Sequence, residues 1–111
     1  MEPLTPAVFH ILLSLADGEK HGYAIMREVE ERTGGSLVMG PGTLYGTLKR
    51  MLEAGIVEES GERPDPAIDD QRRRYYRMTR HGHRAATQEA ARLEALVRAA
   101  RAKSLLRPRH A

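Results

Sequence analysis

The chain has 111 residues, no cysteine and a formal net charge of +3. This length suits one domain with a modest core, and a deep enzyme cleft is not expected. The absence of cysteine excludes disulfides, thiolate metal sites and cysteine nucleophiles. No apolar stretch approaches the roughly 20 residues that cross a bilayer, and no basic segment with a long apolar run opens the chain. We therefore expect a cytoplasmic protein.

Charge is distributed unevenly along the chain. Residues 1–70 contain six Lys/Arg against thirteen Asp/Glu, a balance of −7, whereas residues 71–111 contain twelve against two, a balance of +10. Such asymmetry suggests either a polyanionic partner or complementary packing between subunits. It does not choose between them.

Two helices are predicted in the first third of the chain. Thr5 and Pro6 suit the N-cap and first position of a helix over residues 6–16, which is apolar enough to be mostly buried. A second helix is predicted over residues 22–32. Its first residue, Gly22, either lets a phosphate approach free N–H groups or simply forms a tight turn.

A third helix is predicted between Pro41, which fits the first helical position, and Gly55, which fits the left-handed residue after the end. Its apolar residues share one face. We place Thr43, Gly46, Thr47, Lys49 and Arg50 on the other surface. Glycine in a helix interior lowers the stability of the helix by roughly 1 kcal/mol relative to alanine. Close approach of another surface, here DNA, would explain Gly46, although an ordinary solvated face is the simpler reading of this helix alone.

Short β-prone segments surround this helix. Residues 36–39 are expected to form an edge strand, and residues 56–60 and 75–79 the two strands of a hairpin. Residues 61–71 between them contain two prolines, a glycine and acidic residues, which predict a protruding loop.

The last helix is predicted over residues 81–106, with residues 107–111 as a basic tail. Apolar residues recur in it at alternating steps of four and three, which favours a helix–helix seam covered by a second subunit over a helix folded back on its own domain. The seam comprises Ala86, Ala90, Leu93, Val97, Ala100 and Ser104, with Leu96 beside it.

This order of elements predicts a mainly α fold with a small β-hairpin wing. It is the order of a winged helix-turn-helix over residues 1–80, followed by a C-terminal dimerisation helix over residues 81–106. In such a module the third helix enters the major groove. The hairpin, or wing, then lies along the DNA backbone.

Several motifs in this order resemble the PadR family of bacterial transcriptional regulators. They are His21-Gly22-Tyr23, Pro41-Gly42-Thr43-Leu44-Tyr45, Leu48-Lys49-Arg50 with Gly55, and Arg73-Arg74-Tyr75-Tyr76-Arg77-Met78-Thr79 with Gly82. The resemblance implies a homodimer, joined through the C-terminal helices with help from the first helix. It also implies binding to a palindromic operator, usually as a repressor, and allows a small-molecule effector that no residue here identifies.

Candidate DNA contacts follow from the same resemblance. They are Gly42, Thr43, Tyr45, Gly46 and Lys49 on the third helix, Gly22 and Tyr23 for backbone phosphates, and Arg73 and Arg74 on the wing. Many members have serine near Gly40, and proline follows the helix tyrosine where this chain has Gly46. The base preference of this chain therefore need not match theirs.

Two other functions were weighed against DNA binding. An enzyme is disfavoured because the sequence has no paired carboxylates in an apolar setting and no phosphate-binding glycine loop of usual spacing. His81 and His83 diverge on a helix, and zinc needs three or four protein ligands, so we expect neither metal nor cofactor. A winged-helix module that binds only protein is the alternative to a DNA-binding regulator.

Overall fold

The computed structural model describes residues 3–62 and 74–108. Four helices and a small sheet form the winged helix-turn-helix that the sequence predicts. The elements are α1 (Pro6–Leu15), β1 (Lys20–His21), α2 (Gly22–Arg32), α3 (Pro41–Glu53), β2 (Val57–Glu62), β3 (Arg74–Met78) and α4 (Arg80–Ala102).

Side-chain caps begin three of the four helices. Thr5 accepts a hydrogen bond from the Val8 amide at the start of α1, His21 Nδ1 accepts one from Ala24 at the start of α2, and Thr79 caps α4. The N-cap of α3 is Gly40, which has no side chain to bond the free amides. The start of α3 therefore presents bare backbone.

The sheet has three antiparallel strands in the order β1-β3-β2. The expectation of an edge strand over residues 36–39 was wrong, since the third strand is Lys20–His21. The amide of Leu37 instead donates to the Thr33 hydroxyl at 3.1 Å, and Met39 is buried in the core. Residues 36–39 have β-prone side chains, but such a preference does not by itself supply a strand partner.

The core lies between the first three helices and the inner face of the sheet. Its most buried members come from α1, α2, α3 and β2 and are Ile11, Leu12, Ile25, Val29, Leu44, Leu48, Met51 and Val57. Thr47, which we expected on the outer surface of α3, is buried as well and was misplaced by the prediction. Its hydroxyl donates to the Thr43 carbonyl at 2.7 Å, so this polar group is satisfied inside the helix.

Only the first part of α4 packs on the winged domain. Gly82 lies against the Ile56 carbonyl group, where an added Cβ would sit 2.9 Å from the carbonyl carbon. Ala85 and Glu89 are buried, and Glu89 accepts a hydrogen bond from the Leu4 amide at 3.3 Å. From residue 94 onward most side chains are exposed.

Helix α4 ends at Ala102, four residues earlier than predicted. Ser104 adopts a φ of 64°, and the Leu105 amide donates to the Ala100 carbonyl at 2.8 Å. This left-handed residue closes the helix in the way a glycine usually does. Ser104 was therefore wrongly placed in the helical seam.

Candidate nucleic-acid interface

The outer face of α3 is polar and bare, as the sequence predicts. Gly42, Thr43, Lys49 and Arg50 are exposed and Gly46 is half-exposed. Among the carboxylates whose side chains the structure describes, none forms an ion pair with Lys49 or Arg50. Arg50 Nη2 donates to the Thr47 hydroxyl at 3.3 Å, which orients its guanidinium along the helix. Arg50 was predicted to lie on this surface but was not among the predicted DNA contacts.

The glycines of the chain divide into three groups according to what requires them. Gly18, Gly34, Gly35, Gly55 and Gly61 have positive φ, which favours glycine. Gly22 and Gly82 pack too closely against neighbouring atoms to carry a Cβ. Neither reason applies to Gly40, Gly42 and Gly46, where an added Cβ would meet nothing closer than Arg50 Nη1 at 3.9 Å among the described residues. Nothing inside the described fold requires glycine at these three positions of α3.

Gly22 and Tyr45 join the start of α2 to α3. Gly22 is buried, and a Cβ on it would lie 2.7 Å from Cζ of Tyr45. The Tyr45 hydroxyl oxygen is itself buried. Packing within the chain thus explains Gly22, and the Tyr45 hydroxyl is not available to a base in this conformation. A phosphate contact by the Gly22 amide stays a prediction.

Tyr23 lies exposed in the first turn of α2, beside His21 and Arg27. Its ring stacks near that of His21, with centroids 6.5 Å apart, and Arg27 lies 5.9 Å from the ring centroid. His21 also contacts the Tyr75 ring edge-on at 5.3 Å, which connects α2 to the wing. Arg27 was not among the predicted DNA contacts.

The wing arginines are paired with glutamates across the hairpin. Arg74 Nη1 lies 3.8 Å from Glu59 Oε1, and Arg77 Nε donates to Glu58 Oε1 at 2.8 Å. Both pairs are half-exposed. Arg73, the other wing candidate, lies outside the described residues. The loop was predicted over residues 61–71, but Gly61 and Glu62 belong to β2, and residues 63–71 lie outside the described residues.

A groove of about 340 Å³ separates α3 from the wing. It brings Tyr45, Gly46, Lys49 and Arg74 together, four of the residues that the sequence indicated. Glu59, Leu52 and Tyr76 complete the lining. Burial raises the pKa of Tyr76, and the negative charge of Glu59 raises it further. The groove thus carries both signs of charge, with Lys49 on the helix side and an ion pair on the wing side.

The residues predicted for dimerisation occupy one side of α4 and divide into two parts. Ala86 packs against its own core, and Leu93 lines a cavity of about 260 Å³ with Leu4 and Phe9 of the same chain. Ala90 is exposed and Ala100 partly buried. Leu96 and Val97 are 56% and 37% exposed, which is unusual for large apolar side chains on one helix. Leu96 and Val97 of the predicted seam therefore lack a cover within the described chain.

Neither of two other kinds of site appears where the structure describes the chain. No group of three or more His, Cys, Asp or Glu side chains is placed to hold a metal ion there. Within the same residues, no helix combines the length and the apolar character that crossing a membrane requires.

Comparison with known proteins agrees with this geometry. Residues 11–88 match the model of the "Transcriptional regulator PadR-like family". The chain is 39% identical over 89 residues to the transcriptional regulator Rv3488 of Mycobacterium tuberculosis, covering 80% of this chain and 77% of that one.

Solved structures show the same fold. A PadR family transcription regulator from Clostridium difficile superposes with a TM-score of 0.72 at 22% identity, over 92% of this chain and all of that one. Bacillus subtilis PadR in complex with operator DNA superposes with a TM-score of 0.65 at 21% identity, over 78% of this chain and 46% of that one. On the family match and the Mycobacterium relative together, the chain belongs to the PadR-like family of transcriptional regulators.

Proposed function

We propose that this protein is a sequence-specific repressor that binds a palindromic operator as a homodimer. The observation that carries the proposal is the outer face of α3, where Gly40, Gly42 and Gly46 serve no described internal purpose. A bare helix lets its backbone and short side chains approach base edges in the major groove. The solved complex of Bacillus subtilis PadR with operator DNA supports the same use of the fold.

Roles within the interface follow from side-chain type and position. Thr43, beside the bare backbone at the start of α3, would read base edges, while Lys49 would meet phosphate near the groove. Tyr23 and the Gly22 amide would contact backbone phosphates from α2. Arg73 and Arg74 would do so from the wing. Tyr45 would act mainly by fixing α3 against Gly22, because its hydroxyl is buried.

Dimerisation would use α4 from Ala90 onward, where most side chains are exposed. Ala90, Leu93, Leu96, Val97 and Ala100 offer an apolar strip, and a second copy is the simplest cover for it. Two copies of α3 presented by such a dimer would read successive major grooves, about 34 Å apart. The cavity beside Leu93, of about 260 Å³, would offer room for a small effector that releases the protein from DNA.

The decisive experiment maps the DNA sites that the full-length protein protects across the genome and measures affinity by electrophoretic mobility shift. We expect palindromic sites, including one at the protein's own promoter, and affinity that falls steeply with salt because phosphate contacts release counterions. A module that binds only protein would shift no duplex. Tight binding without salt dependence would remove phosphate contacts from the proposal.

A further inference from the structure

Glu58 and Glu59, neighbours on β2, lie on opposite faces of the wing. Successive side chains of a strand alternate between faces. Glu59, Arg74 and Tyr76 share the face that lines the groove beside α3. Glu58 pairs with Arg77 directly across the ladder and does not line that groove.

The two ion pairs are similarly exposed but differ in geometry, since Arg77 Nε donates to Glu58 Oε1 at 2.8 Å whereas Arg74 Nη1 lies 3.8 Å from Glu59 Oε1. The side chains of Glu59 and Glu58 are 46% and 50% exposed, and those of their arginine partners 54% and 56%. Exposed ion pairs of this kind add little to stability. A change at either glutamate should therefore leave the fold intact, and a difference between them should report where each lies relative to DNA.

Glu59 opposes phosphate contact in two ways. Its carboxylate lies 3.8 Å from the Arg74 guanidinium and competes with a phosphate oxygen for that cation, and it adds a negative charge to the groove that also contains Lys49. Phosphate contacts raise affinity for every DNA sequence, whereas only base contacts and DNA shape distinguish one sequence from another. A residue that weakens phosphate contacts therefore lowers the affinity for random DNA and for the operator by about the same factor.

We propose that Glu59 limits the affinity of the wing for DNA of any sequence, by pairing with Arg74 and by adding a negative charge to the groove beside α3. The inference rests on the proposed DNA-binding function and adds to it a residue that acts against binding. Without Glu59, the wing binds the phosphates of operator and random DNA more tightly, and discrimination between sequences is left to the contacts made by α3.

The test replaces Glu59 by its uncharged isostere, Glu59→Gln, with Glu58→Gln as the matched control. Affinity for a random-sequence duplex and for a fragment protected in the footprint is measured from about 50 mM to about 300 mM KCl. At the lowest salt Glu59→Gln should bind the random duplex about 3- to 10-fold more tightly, with a steeper salt dependence. The affinity for the operator should rise by about the same factor, so the ratio of operator to random affinity should hardly change, while Glu58→Gln changes either affinity by less than about twofold. Adding Arg74→Gln to Glu59→Gln should remove most of the gain.

The outcomes separate this inference from the proposed function. If the unmodified protein binds no duplex, the proposed function fails and the inference falls with it. If that protein binds DNA but Glu59→Gln binds random DNA no better, only the inference is overturned. Equal gains from Glu58→Gln and Glu59→Gln also overturn it, because added net charge and not the position of Glu59 would then be the cause.

Discussion

Gly46→Ala should make the protein more stable and a poorer DNA binder. The added Cβ would meet only Arg50 Nη1, at 3.9 Å, which is ordinary contact. Alanine is favoured over glycine in a helix interior by about 0.8–1.0 kcal/mol. For a domain of this size we expect a rise in melting temperature of about 4 °C, measured by circular dichroism or calorimetry.

The same methyl group should weaken operator binding, because α3 would no longer approach the base edges as closely. Contacts at the centre of an interface pack as densely as a protein core, where an extra methyl costs about 1–3 kcal/mol. This corresponds to an affinity loss of about 5- to 150-fold in a mobility-shift or fluorescence-anisotropy titration. Unchanged operator affinity in a folded, stabilised variant would refute the role we give to the bare face of α3.

Two other glycine-to-alanine changes serve as controls. Gly34→Ala places a side chain at a φ of 60° with open space around it, so it should destabilise the fold by about 1–2 kcal/mol and leave DNA affinity alone. Gly22→Ala would force Cβ to within 2.7 Å of Tyr45 Cζ, so it should destabilise the fold and displace α3. Only Gly46→Ala should therefore combine higher stability with weaker binding.

Three further predictions follow from the same geometry. Lys49→Ala should weaken binding to all sequences and reduce the slope of log affinity against log salt concentration by about one, whereas Thr43→Ala should change the preferred sequence. If neither variant altered binding, α3 would be excluded from the interface. Leu93→Glu should give monomers with weaker operator binding. Leu96→Glu should do the same without disturbing contacts inside the chain, since Leu96 is 56% exposed. A dimer of unchanged mass by light scattering would contradict the predicted dimer seam. Hydrogen bonds from Arg92 and then the Leu4 amide lower the pKa of Glu89 despite burial, so the tether between Leu4 and α4 should hold at and above the ordinary pKa of a glutamate and weaken as pH falls through the lowered pKa. Amide exchange at Leu4 would follow this loss, and Glu89→Gln should abolish the pH dependence.

Local signals in the sequence determined the helices and the wing. Thr5 and Pro6 begin α1, Pro41 begins α3, and Gly55, with a φ of 74°, follows its end as predicted. Caps and left-handed glycines act through neighbouring backbone groups, so they can be read without knowledge of distant residues. The apolar periodicity likewise identified the buried face of α3, apart from Thr47.

Contacts between distant residues decided what the sequence could not. The edge of the sheet was predicted at residues 36–39, but Lys20–His21 pair with β3, and that pairing depends on how the helices bring distant segments together. The sequence shows that Gly22 is a glycine, but only the fold brings Tyr45 onto it and leaves Gly46 bare.

The wing shows the same division between local and distant information. The arginines of the wing are evident from the sequence, but their pairing with Glu58 and Glu59 was not predicted. Strand register and the opposing faces of the hairpin are tertiary facts, because they depend on which residues meet across the ladder. The sequence by itself determined that a basic wing follows a bare helix. Tertiary structure alone decided which of its charges face the groove, since that depends on pairing between residues far apart in the chain.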